Sequence, residues 1–173
     1  MVAAEFPRDL EELYLQQYPA LYRTIRAIVL DHETAHDLVH DVFERALRHQ
    51  TSFRGQGNVR GWLHRIAVNL AISHWRRQRL TRLLPFKIYQ PAERRPDEDA
   101  EAHMLVEEAL SVLSPKLRAV VVLHFYHRFT REEIAAILGI PPGTVGSRLA
   151  KAMESMRQVL PAIDPADASR RHP

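Results

Sequence analysis

The chain has 173 residues, 46% of them hydrophobic, with a formal net charge of +3 and no cysteine. That length allows one medium domain or two small ones, with enough apolar residues for a packed core. The missing cysteines exclude disulfide frameworks, cysteine zinc sites and thiol nucleophiles, and the absence of an export-signal pattern or a stretch near the roughly 20 apolar residues of a membrane span points to a cytosolic protein.

Strand signals are nearly absent, and apolar residues recur at helical spacing throughout. Leu10, Leu13, Leu21, Ile25, Ile28 and Val29 suit one amphipathic helix, or two broken at Pro19. Asp31 offers an N-cap with Glu33 in the first turn of the next helix. Its stripe of Ala35, Leu38, Val39, Val42, Phe43, Ala46 and Leu47 is expected to be buried, opposite His36, Asp37, His40, Asp41, Glu44 and Arg48. Up to Glu44 the chain carries nine acids and three bases.

From Arg45 to Lys87 the balance reverses to ten bases and no acid. Residues 51–58 read as a loop, and Asn58 can cap a third helix from Val59 to about Arg79. That helix sets Trp62, Leu63, Ile66, Leu70 and Trp75 among Arg60, Arg65, Arg76, Arg77 and Arg79. Pro85, Pro91 and Pro96 then break the periodicity and mark a linker.

Beyond the linker, Leu105, Ala109, Val112 and Leu113 form one stripe, Ser114 and Pro115 make a cap and first-residue pair, and Leu117, Val120, Val121 and Leu123 form another stripe. Thr130 and Glu133 match a capping box, and the helix it opens is expected from Glu132 to Leu138, with Gly139 able to end it in the left-handed conformation. Pro142 suits the first turn of a second helix reaching about Leu160, and the pair reads as a helix-turn-helix. The tail after Pro161 has the composition of a disordered segment.

The second helix of that pair carries Thr144, Ser147, Arg148 and Lys151, while Val145, Leu149, Ala152, Met153 and Met156 supply packing. Early residues of such helices meet major-groove base edges, so DNA reading is favoured over ordinary helix packing. The acid-free block mixes arginines with Phe53, Trp62 and Trp75, as needed when phosphates are neutralised and unstacked bases rest on aromatic rings. Each tryptophan alone is better read as core. The pair His36 and His40 has the spacing of two zinc ligands, but Asp37 stands where a zinc protease carries glutamate and no third ligand is placed, so a metal site is rejected. The acidic face of Asp37, Asp41 and Glu44 fits a basic protein partner and plain solvation equally well. No P-loop, dinucleotide fingerprint or nucleophile elbow is present, and no enzyme is expected.

Three stretches, AHDLVHDVFERALRH, FRGQGNVRGWLHRIAVNLAISHWRRQR and LSPKLRAVVVLHFYHRFTREEIAAILGIPPGTVGSRLAKAM, occur in this order. Together the chain resembles the extracytoplasmic-function (ECF) sigma factors of bacterial RNA polymerase from about Leu13 to Leu160. The resemblance implies an all-α protein of two small helical domains joined by a flexible linker. Residues 1–84 would bind core polymerase and the minus-10 promoter element, 85–101 would be the linker, 102–161 would read the minus-35 element, and 162–173 would be a disordered tail.

By the same resemblance, Asp37, Leu38, His40, Asp41, Glu44, Arg45 and Arg48 would bind core polymerase. Phe53, Arg54, Trp62, Arg65, Asn69, Trp75, Arg76, Arg77 and Arg79 would contact the minus-10 DNA, with Phe53 and Asn69 at a pocket for a flipped base. Within a helix-turn-helix running from Glu132 to Lys151, Thr144, Ser147, Arg148 and Lys151 would meet the minus-35 element. Two positions depart from the family pattern: Ser73 replaces an Asp, and Gly146 replaces a Lys or Arg after Gly-Thr-Val. The implied partners are core RNA polymerase, promoter DNA and an anti-sigma factor, commonly membrane-bound in relatives, with no cofactor, metal or small-molecule substrate. A conventional DNA-binding regulator, or an RNA-binding or structural helical protein, are the competing classes.

Overall fold

The computed structural model describes residues 10–50, 53, 58–82 and 100–159, with side chains of 81, 82 and 100–105 left aside. Seven α-helices account for most of them: α1 Leu10–Val29, α2 His32–Arg48, α3 Val59–Arg82, α4 Ala100–Ser111, α5 Pro115–Val121, α6 Arg131–Leu138 and α7 Pro142–Val159. There is no strand among the described residues, and no helix there is long and apolar enough to cross a membrane. The expected linker up to Asp99, the tail from Leu160, and Arg54 lie outside the described residues.

The alternatives left open at Pro19 resolve into one continuous α1. Proline inside a helix removes a backbone hydrogen bond, but Leu13, Leu21, Ile25 and Ile28 are buried on both sides of it. Burial of that stripe outweighs the local defect. Asp31 caps α2 as its carboxylate accepts from the Thr34 amide at 2.8 Å. Burial alone would raise the Asp31 pKa, yet the Thr34 hydrogen bonds and nearby Arg26 and His32 hold it below its ordinary value. Asn58 likewise accepts from the Arg60 amide at 2.9 Å and opens α3.

In α2, Ala35, Leu38, Val39, Val42 and Ala46 are buried as the spacing predicts, whereas Phe43 is half-buried and Leu47, last in the stripe, is 40% exposed. The first half is thus a three-helix bundle centred on Leu21, Ile25, Val39, Val42, Leu63 and Val68.

In the second half, Ser114 stands at the N-cap of α5 with Pro115 in the first turn, but its side chain makes no capping bond. The stripe expected before it is broken: Ala109 and Leu113 are buried, while Val112 is 45% exposed. Continuing from α5, residues Val122–Tyr126 widen into a π-helical turn, closed by the His127 amide donating to the Val122 carbonyl at 3.1 Å. Arg128 then takes a left-handed φ of 57°. For a non-glycine residue this costs of order 1 kcal/mol, and the reversal delivers Phe129 into the core at 6% exposure.

Thr130 and Glu133 form the full capping box of α6, each side chain accepting from the other's backbone amide. The expected start at Glu132 is corrected by one residue. With Thr130 as the N-cap, Arg131 is the first residue of the helix, and Glu132 lies exposed within the first turn. A carboxylate there suits the positive end of the helix dipole. Gly139 ends α6 at φ 64°. The two halves then share a single apolar core, in which Leu63, Ala67 and Leu70 of the bundle join Val120, Leu123, Phe129, Ile134 and Ile137. A second cluster of Leu110, Leu113, Leu117, Val121 and Ala152 is covered by Ala27 and Leu30 from the end of α1.

Candidate nucleic-acid and partner interfaces

Along α3, Arg65, Asn69, Ser73 and Arg77 recur every four residues and are all exposed, with Arg76 and Arg79 beside them. This spacing places them on one side of the helix. Trp62, seven residues before Asn69, is half-buried against the core and meets Phe53 with ring centroids 5.5 Å apart. Phe53 is itself half-buried and donates its amide to the Gln50 carbonyl at 3.1 Å. Trp75 is half-buried under the Arg79 guanidinium, 5.4 Å from the ring centroid. Trp62 therefore combines both sequence readings, packed against the core while still partly open to solvent. The neighbouring His74 imidazole is held below its ordinary pKa by burial and by Arg77.

On α7, Ser147 and Lys151 are exposed and Thr144 and Arg148 half-exposed, opposite buried Val145, Leu149 and Ala152. The Ser147 hydroxyl donates to the Thr144 carbonyl at 3.1 Å, which leaves its oxygen lone pairs as the outward polar function. A Cβ built on Gly146 comes no nearer than 3.8 Å to Arg131 Nη1, so glycine is not required there by crowding. At the other end of the expected helix-turn-helix, Glu132 presents an exposed carboxylate, which bounds the motif and has the wrong sign to hold a phosphate.

On α2, Asp37, His40, Asp41, Glu44, Arg45 and Arg48 are exposed. Glu44 pairs with Arg48 one turn on, an exposed contact of little energetic weight. Leu38 requires a correction to its placement on this face. It is 4% exposed and belongs to the buried stripe, so it can support the face only from beneath.

A ladder of rings that spacing within either helix does not reveal lies beside these acids. Tyr14, Tyr18 and Tyr22 rise along α1 opposite His40, His36 and His32 of α2, and Phe43 closes one end 4.7 Å from Tyr14. Tyr18 hydrogen-bonds His36, and Tyr22 hydrogen-bonds His32. Burial raises the Tyr18 pKa, assisted by the adjacent tyrosines. Two runs at i, i+4, i+8 were the available signal, but only an antiparallel pairing of α1 and α2 makes them meet.

A fourth surface is hidden between the halves. Arg60 donates to the His127 carbonyl at 3.1 Å and its guanidinium lies 4.6 Å from the Phe129 ring centroid. A Cβ on Gly61 would meet Ile137 of α6 at 3.6 Å, and one on Gly139 would meet Arg65 at 3.9 Å. The helix-turn-helix thus leans on the first turns of α3. Arg26 of α1 pairs with Glu107 of α4.

Buried Arg118 donates to the carbonyls of Leu110 at 2.8 Å, Ile28 at 2.7 Å and Ser111 at 3.1 Å. Those carbonyls end α1 and α4, where the helix dipoles are negative; the Leu110 carbonyl also accepts from the Leu113 amide at 3.0 Å. Burial lowers the Arg118 pKa to about 10, which leaves it charged at neutral pH.

The family model described as Sigma-70 region 2 matches residues 13–81, and that described as Sigma-70, region 4 matches 103–156. The chain is 31% identical over 163 residues to the RNA polymerase sigma-E factor of Streptomyces coelicolor, covering 90% of this chain and 88% of that one. It is 31% identical over 151 residues to the ECF RNA polymerase sigma factor SigM of Mycobacterium tuberculosis, covering 87% and 76%. Among solved structures, it is similar to the sigma factor RpoE in complex with the anti-sigma factor NepR from Bartonella quintana. That match has a TM-score of 0.77 and 26% identity over 91% of this chain and 99% of the other. It is also similar to CnrH in complex with the cytosolic domain of CnrY, at a TM-score of 0.67 and 25% identity over 88% of each.

Proposed function

This chain belongs to the ECF sigma factors of bacterial RNA polymerase, and from that membership we propose how its surfaces divide the work of a factor that binds core polymerase and directs promoter-specific initiation. Residues 1–84 hold the polymerase and the minus-10 element, 102–161 read the minus-35 element, and 85–101 connect them. The factor acts in the cytoplasm and carries no chemistry of its own; catalysis belongs to the polymerase.

The exposed face of Asp37, His40, Asp41, Glu44, Arg45 and Arg48 meets the core enzyme. Asp41→Arg should weaken core binding about tenfold with helicity unchanged, since it reverses a charge at a charged contact. Phe53, Trp62 and Asn69 receive an unstacked base, with Arg54, Arg65, Trp75, Arg76, Arg77 and Arg79 along the strand. Extruding a base costs a few kcal/mol, which stacking and hydrogen bonding at this end of α3 offset. Thr144, Ser147, Arg148 and Lys151 contact the minus-35 duplex.

The observation that carries this reading is the exposed stripe of Arg65, Asn69, Ser73 and Arg77 on α3, free of any carboxylate from Arg45 to Lys87. Control by an anti-sigma factor is supported by the structurally similar sigma factor RpoE having been solved in complex with the anti-sigma factor NepR. Membrane tethering of that regulator is part of the proposal. Reconstitution with core polymerase on promoter templates tests the whole: specific run-off transcripts are expected, and a chain that neither binds core nor starts transcription at defined positions rules the reading out.

A further inference from the structure

Thr24 of α1, His64 of α3 and His127 after the π turn meet where the two halves join, at 0%, 0% and 7% exposure. The Thr24 hydroxyl oxygen lies 3.1 Å from His64 Nδ1, 2.7 Å from His127 Nε2 and 3.1 Å from the Ala20 carbonyl oxygen. A hydroxyl has one proton to give. With that proton on the Ala20 carbonyl, both imidazoles donate to the threonine oxygen in their neutral forms. His64 Nε2 is left as a buried nitrogen without a hydrogen-bond partner. The two rings are 4.4 Å apart, and Phe129 closes the site 5.4 Å from His64.

The charges that act on the pair come from α3, where Arg60 holds the His127 carbonyl, and from α1, where Arg23 lies 5.1 Å from the Tyr126 ring centroid. From α6 the neighbouring contact is apolar, Ile137 against Gly61. Every added proton would therefore face arginine or a second imidazole. A proton on His64 Nε2 would also point at no acceptor.

Closure has a geometric cost for a promoter-binding factor. Minus-10 and minus-35 elements lie roughly 25 base pairs apart, about 85 Å along B-form DNA. A compact body of this chain's length is about 40 Å across, whereas the roughly 17 residues between Arg82 and Ala100 can extend by up to about 60 Å. The closed arrangement cannot reach both elements, and it packs α6 over the first turns of α3.

We infer that Thr24, His64 and His127 form an acid-sensitive latch holding the two halves together, and that the latched chain is a self-masked state that opens before the promoter is engaged. What is masked rests on the sigma-factor reading; the latch itself does not. Burial, then the neighbouring His127 and Arg60, lowers the His64 pKa to about 3. Burial, then Arg60 and Arg23, lowers that of His127 to about 4. Once opened to water, both return toward 6.5. The closed state is thus fully favoured above about pH 6.5 and loses ground as pH falls toward 4, about tenfold per histidine for each unit in that window.

The test uses the full chain, whose lack of native cysteine permits dye pairs at Glu33→Cys and Gln158→Cys on exposed sites in the two halves. Single-molecule energy transfer should show one compact population at pH 8. The ratio of open to closed molecules should rise on the order of 100-fold by pH 5.5 while helical circular dichroism is retained. His64→Asn with His127→Gln keeps a nitrogen at each bonding position without titrating, and should stay closed to pH 5.5. Thr24→Val, which removes the shared oxygen, should open at pH 8.

An unchanged distance between pH 8 and 5.5, opening of the non-titrating variant as in the parent, or loss of helicity in step with the distance would each overturn the latch. Core polymerase with promoter DNA is then added at pH 8. Opening by acid without any response to polymerase defeats the sigma-factor reading and keeps the latch; opening by polymerase without any response to acid does the reverse.

Discussion

Inside the α1–α3 bundle, Leu21, Ile25, Ile28, Val39, Val42 and Leu63 meet as aliphatic side chains at 0% exposure. Where the same bundle meets the second half, an apolar layer is accompanied by Arg118 on three carbonyls, Arg26 on Glu107, Arg60 on a carbonyl and the Thr24 latch. Aliphatic contacts have no alternative partner in water, so the bundle stays shut under all conditions that leave the chain folded. Polar groups regain hydrogen bonds to water when they separate, so a contact rich in them can be both specific and reversible. The difference assigns permanence to the bundle and adjustability to the joint between halves.

The apolar side of this contrast is the first to challenge. Ile25→Ala empties a fully buried site and should cost about 4 kcal/mol, read as a lowered urea midpoint with an unchanged pH profile. Arg118→Met should cost about 3 kcal/mol, because three carbonyls lose charge-assisted donors. Its signature differs: the halves should separate, measured as increased amide exchange at α4 and α5 while the α1–α3 bundle keeps its protection.

Acid separates the two regions further. His64 and His127 are held below the unfolded-state value near 6.5, so their neutral forms stabilise the fold fully above that pH and progressively less toward 4. Lowering pH from 7.5 to 5.5 should remove nearly 3 kcal/mol, roughly 1.4 per histidine, from urea-derived stability, and the His64→Asn, His127→Gln chain should lose less than half as much. The smallest effect lies away from both regions. Thr130→Ala deletes one side of the α6 capping box and should cost about 1 kcal/mol, detectable by thermal melting without any change in the pH dependence.

Much of the helical framework was legible in local chemistry. Asp31, Asn58 and Thr130 have side-chain oxygens three or fewer residues from the amides they cap, and Gly139 meets the need for a positive φ. The candidate surfaces were legible to the extent that a charged residue at helical spacing opposite an apolar stripe must face outward, as on α3 and α7. Leu38 was misplaced because its neighbours Asp37 and Asp41 face outward while its own position follows the buried stripe. The start of α6 at Arg131 instead of Glu132 follows from the cap itself, since the residue after an N-cap is already helical. The ring ladder of α1 and α2 went unseen because each half of it looks like unremarkable i, i+4 spacing until the helices pair.

Local sequence was enough to specify the helices, their caps, the segregated charge blocks and, through three motifs in order, membership in the ECF sigma factors. These are properties of neighbouring residues, set by hydrogen bonds and periodicities that span only a few positions. Only the packed molecule established that α1 runs through Pro19, that Arg118 joins the ends of α1 and α4, and that Thr24 meets His127 across 103 positions of the chain. Such contacts depend on how whole helices pack, and a histidine's neighbours, rather than its place in the chain, set where its proton is held.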